Sequence, residues 1–348
     1  MKAVQITSIG RPLEDREVET PTPSRHDALV RVEAAGICHS DAHYQDGTSP
    51  AGPFPLTPGH EVAGVVEKTG AAVDEVRPGD RVAIHYLVTC GTCGYCLSGR
   101  EQFCQAGQMI GKHRNGGYAE MLVVPARNLV PVPDGVDLAH AAVSMCSTAT
   151  SFHAIRRAGL TPGDTVAVFG AGGLGLSAIQ LALLCGASNV VAIDLSPERL
   201  SRAAEFGART VDANAADPVG TARELEPAGF DVTIDLVGIP ETVLQATKIA
   251  AFGGRVAVVG ISNQPAEIDT YADVIGRELV LLGVSDHTKA ELVTIIDWLS
   301  HDRLDLAGVV TESVPLSASA IEPVLQRRRE SGAGFRTVIR PTAAEDST

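Results

Sequence analysis

Four of the chain's seven cysteines, Cys90, Cys93, Cys96 and Cys104, fall within one short stretch, CGTCGYCLSGREQFC. Their spacing puts four soft ligands on a loop loosened by Gly91, Gly94 and Gly99, a set that suits tetrahedral zinc. Four thiolates leave no open coordination position, so such a site shapes a lobe and takes no part in turnover. An iron–sulfur cluster and a nucleic-acid-binding zinc module are the competing readings. The formal net charge of −14 argues against the second, and no electron-transfer partner site accompanies the first.

A catalytic metal needs other ligands. GICHSDAHYQDG and PLTPGHEVAG offer Cys38 and the pair His60 and Glu61. Taken singly, a Cys or His is more often core or surface than ligand, so the constellation has to carry the case. A third chemistry-bearing stretch, FGAGGLG, sets Gly170, Gly172 and Gly175 in GxGxxG spacing between an apolar strand and a helix. Glycines there allow a tight turn and close approach of a pyrophosphate, and the helix amino end offers free N–H groups. Asp194 lies 19 residues past Gly175, where an acid hydrogen-bonds the ribose hydroxyls of NAD and repels the extra phosphate of NADP. Arg199 follows five residues later and could serve a 2′-phosphate, so NAD is favoured and cofactor preference stays open to measurement. The plain alternative is a glycine turn that only lets helix and strand pack, with Asp194 as a cap.

These groups need a scaffold, and the chain shows two textures. Up to about Val143, short β-rich runs such as ALVRVEAAGI, EVAGVVEKTG and DRVAIHYLV are cut by Gly and Pro, the pattern of a β-rich unit with long loops. Beyond Thr161, apolar strands (TVAVFG, NVVAID, DVTIDLVG, RVAVVG, ELVLLGVS) alternate with amphipathic segments. That is the mark of a parallel sheet covered on both faces, a doubly wound α/β domain. After Asp286 come a helix around ELVTIIDWL and a strand in GFRTVIRP, too little to stand alone and expected to pack back on the first domain. The expected division is 1–147 with a zinc lobe at 90–104, then 148–286, then the return segment 287–348, whose tail AAEDST is expected to fray.

Length and composition fit this plan. The 348 residues, 45% hydrophobic, can fill two cores. The acidic balance argues for solubility and against a nucleic-acid partner. MKAVQITSIG alternates like a first strand and lacks a signal peptide's apolar core, so a cytoplasmic location is expected. Even LGLSAIQLALLCGA falls short of the roughly 20 residues of a membrane span.

Taken together, Cys38 with Ser40, Asp41 and His43, then GHE at 59–61, then the four-cysteine lobe, then GAGGLG, resemble the zinc-dependent alcohol dehydrogenases of the medium-chain dehydrogenase/reductase superfamily. Order and spacing match over essentially the whole chain. The resemblance implies a GroES-like β-rich catalytic domain plus a Rossmann domain, NAD, and two zinc ions per chain, one catalytic and one structural. It implies Cys38, His60 and Cys146 as catalytic-zinc ligands, although STAT replaces the family's glycine-containing step after Cys146. By the same comparison Glu61 is an alternate ligand, Ser40 takes the alcohol proton and His43 passes it on. Asp41 orients His60.

Cofactor contacts are implied at His39 and Arg336 for the pyrophosphate and at Gly173, Leu174, Val237, Val259, Gly260 and Ile261 elsewhere. Tyr86 corresponds to a position lining the substrate channel, with Ser49 and Phe54 nearby. The expected reaction transfers a hydride between an alcohol, or its aldehyde or ketone, and NAD. Cys146 as third ligand favours alcohol dehydrogenases mildly over the polyol dehydrogenases, where a glutamate is more common. A polyol, threonine or other secondary-alcohol dehydrogenase is the nearest rival, and a non-catalytic zinc and nucleotide-binding protein a more distant one. A homotetramer is expected, with a homodimer as the alternative. Cys185 reads as core, and His85, His113, His140, His153, His287 and His301 match no ligand position.

Overall fold

The strand DALVRVEAAGI, Asp27–Ile37, is rich in β-branched and small residues and is buried along most of its length. It organises the first of two compact units, Met1–Cys146 together with the segment from His287 onward; the second is Ser147–Asp286. This computed structural model describes residues 1–331 and 334–341; the tail expected to fray lies outside them.

In the first unit, Asp27–Ile37 runs antiparallel to Glu61–Thr69. On its other side it pairs with Met121–Pro125 over its first half and with Arg336–Arg340 over its last residues. Arg81–Ile84, Leu129–Pro131 and Val310–Pro315 extend this sheet. The return segment therefore supplies two strands to it. Val30, Val32, Ile37, Val62, Ile84, Leu122, Ile321, Leu325 and Ile339 are among the buried side chains that fill the core. Burying each large aliphatic chain stabilises the unit by about 1.5–3 kcal/mol.

In the second unit all strand pairs are parallel. Among the described residues the strand order is Arg209–Asp212, Asn189–Asp194, Thr165–Phe169, Phe230–Asp235, Ala250–Val258, Val280–Gly283. In chain order this is 3-2-1-4-5-6, the Rossmann arrangement, whose switch point lies beside the first strand. Ser196 and Asp217 cap the following helices with Pro197 and Pro218 at their first turns. Cys185, expected in the core, instead caps the carboxyl end of Gly173–Leu184 and is half-buried. Among the described residues no helix is long and apolar enough to cross a membrane.

Candidate active site

Cys38 stands where the long strand ends, in extended conformation before the helix His39–Asp46. Asp41, on that helix, reaches back so that its Oδ2 accepts the Cys38 N–H at 2.8 Å. The same oxygen accepts the Tyr118 hydroxyl at 2.9 Å. Its Oδ1 lies 3.3 Å from His60 Nδ1, a charge contact between two fully buried groups. One carboxylate thus braces the backbone of one candidate ligand and the ring of another, the outer-shell support that metal-binding histidines ordinarily receive.

Strand register delivers Glu61 to the same place, because Gly36 faces Glu61 across the sheet. A side chain at Gly36 would overlap the Glu61 carboxylate, so only glycine leaves room for it. Cys146 arrives from the other direction, within the π-helical turn Ser144–Thr148 that follows Leu138–Val143. The outcome is a cluster, buried except for the half-buried Cys146, in which donor atoms of Cys38, His60, Glu61 and Cys146 all lie within 4.8 Å of one another. Tetrahedral zinc sets its ligands roughly 3.5–4 Å apart, and two sulfurs with an imidazole are a zinc set. Glu61 Oε2 is buried with no hydrogen-bond partner, a second sign that the cluster suits a cation.

Electrostatics agree. The Cys146 thiol, donating to Cys38, holds the Cys38 thiol well below its usual range against the opposing effect of burial, and Cys146 is raised in turn. Burial works against charge on His60, yet Asp41 and then Cys38 raise it well above its ordinary value. The pocket is therefore strongly favourable to positive charge. Burial pushes Glu61 up to about 7 against the pull of Arg336.

The resemblance sends Arg336 to a pyrophosphate; what the structure gives it is a buried ion pair with Glu61. Arg336 is 3% exposed, and it begins the strand that pairs with the end of Asp27–Ile37. His39 and His43, one helical turn apart, bring their rings to 4.5 Å. Ser40, half-buried between them, directs its hydroxyl to within 3.7 Å of Cys38 Sγ. The Ser49 N–H donates to the His43 carbonyl at 3.1 Å, and half-buried Phe54 packs on the core. Tyr86 is buried with its ring perpendicular to His60 at 5.3 Å.

The lobe cysteines form a second cluster with sulfurs within 4.8 Å of one another. Cys93 and Cys96 sulfurs stand 3.5 Å apart, and Cys90 and Cys96 3.8 Å. Backbone N–H groups of Thr92 and Cys93 point at Cys90 Sγ and lower its thiol to about 6. Glu101 of the lobe accepts the Lys289 N–H at 2.7 Å, tying the lobe to the helix Lys289–Ser300.

In the second unit the glycine turn joins Thr165–Phe169 to Gly173–Leu184, with Gly172 as the helix's N-cap. A side chain on Gly175 would collide with the Gly170 carbonyl, whereas one on Gly172 would project into open space. The cradle for a diphosphate at a helix amino end is thus present. Asp194 Oδ2 accepts the Ala171 N–H at 2.7 Å and Oδ1 the Ser196 N–H at 2.8 Å, so this acid first fixes the turn itself. Each oxygen keeps a further lone pair. Arg199 Nη1 stands 3.6 Å from Asp194, joining the acid and base that the sequence sets in opposition. Gly173 and Leu174 begin the helix, Val237 is exposed beyond Phe230–Asp235, and Val259 and Gly260 donate their N–H groups to the Asp235 carbonyl. Exposed Ile261 follows them at the same carboxyl edge of the sheet.

Residues 24–134 match the family model for the alcohol dehydrogenase GroES-like domain, and residues 173–301 that for zinc-binding dehydrogenases. An alcohol dehydrogenase of Geobacillus stearothermophilus is 33% identical over 98% of this chain and 99% of its own length. A NAD-dependent alcohol dehydrogenase of Saccharolobus solfataricus is 32% identical over 82% of this chain and 88% of its own. Among solved structures, a zinc-binding dehydrogenase of Sinorhizobium meliloti bound to NADP superposes with a TM-score of 0.91 at 33% identity, covering 98% of this chain and 99% of that one. The chain belongs to the zinc-dependent alcohol dehydrogenases of the medium-chain dehydrogenase/reductase superfamily, and is an oxidoreductase.

Sequence reasoning did not anticipate Tyr118 against Asp41, the Glu61–Arg336 pair, or the packing of His85 and His287 beside Tyr86. Gly36 was the one readable signal for the second of these, since a glycine inside a strand often marks close approach of another group.

Proposed function

We propose that this protein oxidises alcohols, and reduces the corresponding aldehydes or ketones, with NAD, using one catalytic and one structural zinc per chain. The observation that carries this reading is the buried cluster of two thiols, an imidazole and an orphaned carboxylate in a chain that also bears the glycine turn. Bound zinc supplies a Lewis acid that favours loss of the alcohol proton, and the nicotinamide accepts the hydride. Cys38, His60 and Cys146 would hold the metal, with Glu61 as the exchangeable fourth group.

The chain's own side chains do the remaining work. Asp41 fixes the ring orientation of His60. Ser40 receives the hydroxyl proton, and His43 carries it toward solvent. His39 is assigned to the cofactor's pyrophosphate, which Arg336 would join only by releasing Glu61, and Tyr86 and Ser49 to the substrate. Asp194 takes the adenosine ribose hydroxyls, which favours NAD; Arg199 beside it softens that preference without reversing it. Cys90, Cys93, Cys96 and Cys104 hold the structural zinc.

A cytoplasmic homotetramer, or failing that a homodimer, completes the reading. The edge strand Val280–Gly283 supports self-association, since Val280 and Leu281 are 46% and 38% exposed on an unpaired sheet edge. The test is a zinc-replete screen of primary, secondary, aromatic and polyhydric alcohols with both nicotinamides, alongside light scattering. NADH formation with higher catalytic efficiency than NADPH formation is expected; inactivity across the panel would overturn the reading.

A further inference from the structure

His85 is 3% exposed, and neither of its ring nitrogens has a hydrogen-bond partner among the described residues. Leaving such a polar group buried and unsatisfied costs about 1–3 kcal/mol, which a ligand hydroxyl or an ordered water on either nitrogen would recover. Its surroundings say where that ligand would be. His85 and His287 bring their rings to 5.3 Å, and His287 lies 4.9 Å from Tyr86, perpendicular to it. The Tyr86 hydroxyl stands 3.5 Å from His287 Nδ1. Tyr86 in turn packs against His60, so the histidine pair lies one aromatic ring away from the candidate metal ligands.

The backbone holds this array in place. Asn128 donates to the His85 and Leu87 carbonyls at 2.7 and 2.8 Å, while its own carbonyl accepts the His85 N–H at 2.8 Å. The imidazole is therefore presented by a fixed strand end and not by a loose loop. Burial, reinforced by Lys289, pulls His85 down to about 3, so its ring is neutral. A neutral imidazole offers one donor and one acceptor, the complement of a hydroxyl, and carries no charge to offset the desolvation of a carboxylate.

We propose that His85, with Tyr86 and His287, forms a recognition site for a second, uncharged hydroxyl on the substrate, so that this protein selects polyhydric over monohydric alcohols. The proposal rests on the alcohol dehydrogenase reading and reverses the mild preference that Cys146 suggested. It separates a substrate-binding histidine from one that merely holds a buried water.

The test compares chain-matched pairs, glycerol against n-propanol and xylitol against n-pentanol, in the zinc-loaded parent, His85→Leu and His85→Asn. In the parent, kcat/KM for the polyol of at least one pair should exceed its monohydric partner by roughly ten-fold or more, the worth of one or two well-made hydrogen bonds. His85→Leu should erase that ratio through KM, with the monohydric partner changing by less than about three-fold, and His85→Asn should restore part of it. A binding readout independent of turnover is the shift in melting temperature that xylitol produces with NADH present, larger in the parent than in His85→Leu. Parent preference for the monohydric alcohols, or equal losses on both members of a pair in His85→Leu, would overturn the proposal. Absence of NADH formation with every alcohol would instead sink the underlying enzyme assignment, and the proposal with it.

Discussion

The two donor clusters of the first unit are equally tight yet sit in opposite surroundings. The lobe sulfurs are half-exposed, bonded by backbone N–H groups, and flanked by Tyr95, Leu97 and Phe103 at 40%, 75% and 43% exposure. None of the residues from 90 to 104 is buried, so a bound ion would supply the cohesion that burial supplies elsewhere. Cys38, His60 and Glu61 are 6%, 2% and 0% exposed, braced by Asp41, Tyr118 and Arg336. Here the scaffold stands by its own hydrogen bonds and a core, and the donors are placed in advance. On the proposed reading, one cluster would fold the chain around a metal, while the other would fold first and offer a metal its place. Substitutions should separate stability from turnover along that line.

The largest effect is expected at the buried cluster. Cys38→Ala or His60→Ala should lower kcat/KM by roughly three orders of magnitude or more, since Lewis-acid stabilisation is worth several kcal/mol. NADH affinity, followed by fluorescence, should stay within about three-fold of the parent because the glycine turn is untouched. Near-parent turnover in either variant would refute the metal assignment. Next comes Arg336→Ala, which removes the cation that opposes burial at Glu61, so its carboxyl, already at about 7, is left protonated and short of a partner; the loss in denaturant unfolding should be about 1–3 kcal/mol. A loss under about 1 kcal/mol would mean that water reaches the pair. Cys93→Ala should reduce bound zinc from two equivalents to one by elemental analysis and destabilise the fold by about 3 kcal/mol, with surviving folded enzyme still active. If Cys93→Ala instead abolished turnover without loss of stability, the division of labour between the clusters would be wrong.

How much of this was readable in the sequence follows from distance along the chain. The lobe cysteines and the glycine turn are contiguous, and their spacing alone encodes the geometry. The alternating strands and helices after Thr161 likewise announce a parallel sheet, because each element declares its own period. Arg336 is different: its partner Glu61 is 275 residues away, and only the pairing of Arg336–Arg340 with Ala35–Ile37 brings the two together. Tyr118 meets Asp41 across 77 residues, and Tyr86 meets His287 across 201. Local patterns specify which residues are reactive; tertiary pairing specifies which of them share a charge or a hydrogen bond. That is why His85 and His287 look like ordinary histidines in the sequence and become a buried pair in the fold.

His85 also supplies the smallest and sharpest test of the contrast between an exposed cluster and a buried one. Its folded-state value near 3 lies below the ordinary 6.5, so between those limits the unfolded chain binds a proton that the native protein refuses. Above pH 6.5 both states carry a neutral ring and His85 has no pH-dependent effect. As pH falls below that point stability drops by about 1.4 kcal/mol per unit, which amounts to about 2 kcal/mol between pH 7 and pH 5. His85→Leu removes the proton-binding difference, so the gap between the unfolding free energies of the zinc-loaded parent and variant should shift in the variant's favour by that amount on acidification. Zinc release and carboxylate protonation act on both proteins alike and cancel in the difference. A gap that stays constant from pH 7 to pH 5 would mean that His85 takes up a proton in the folded protein as readily as in the unfolded chain, against the lowering that burial and Lys289 impose.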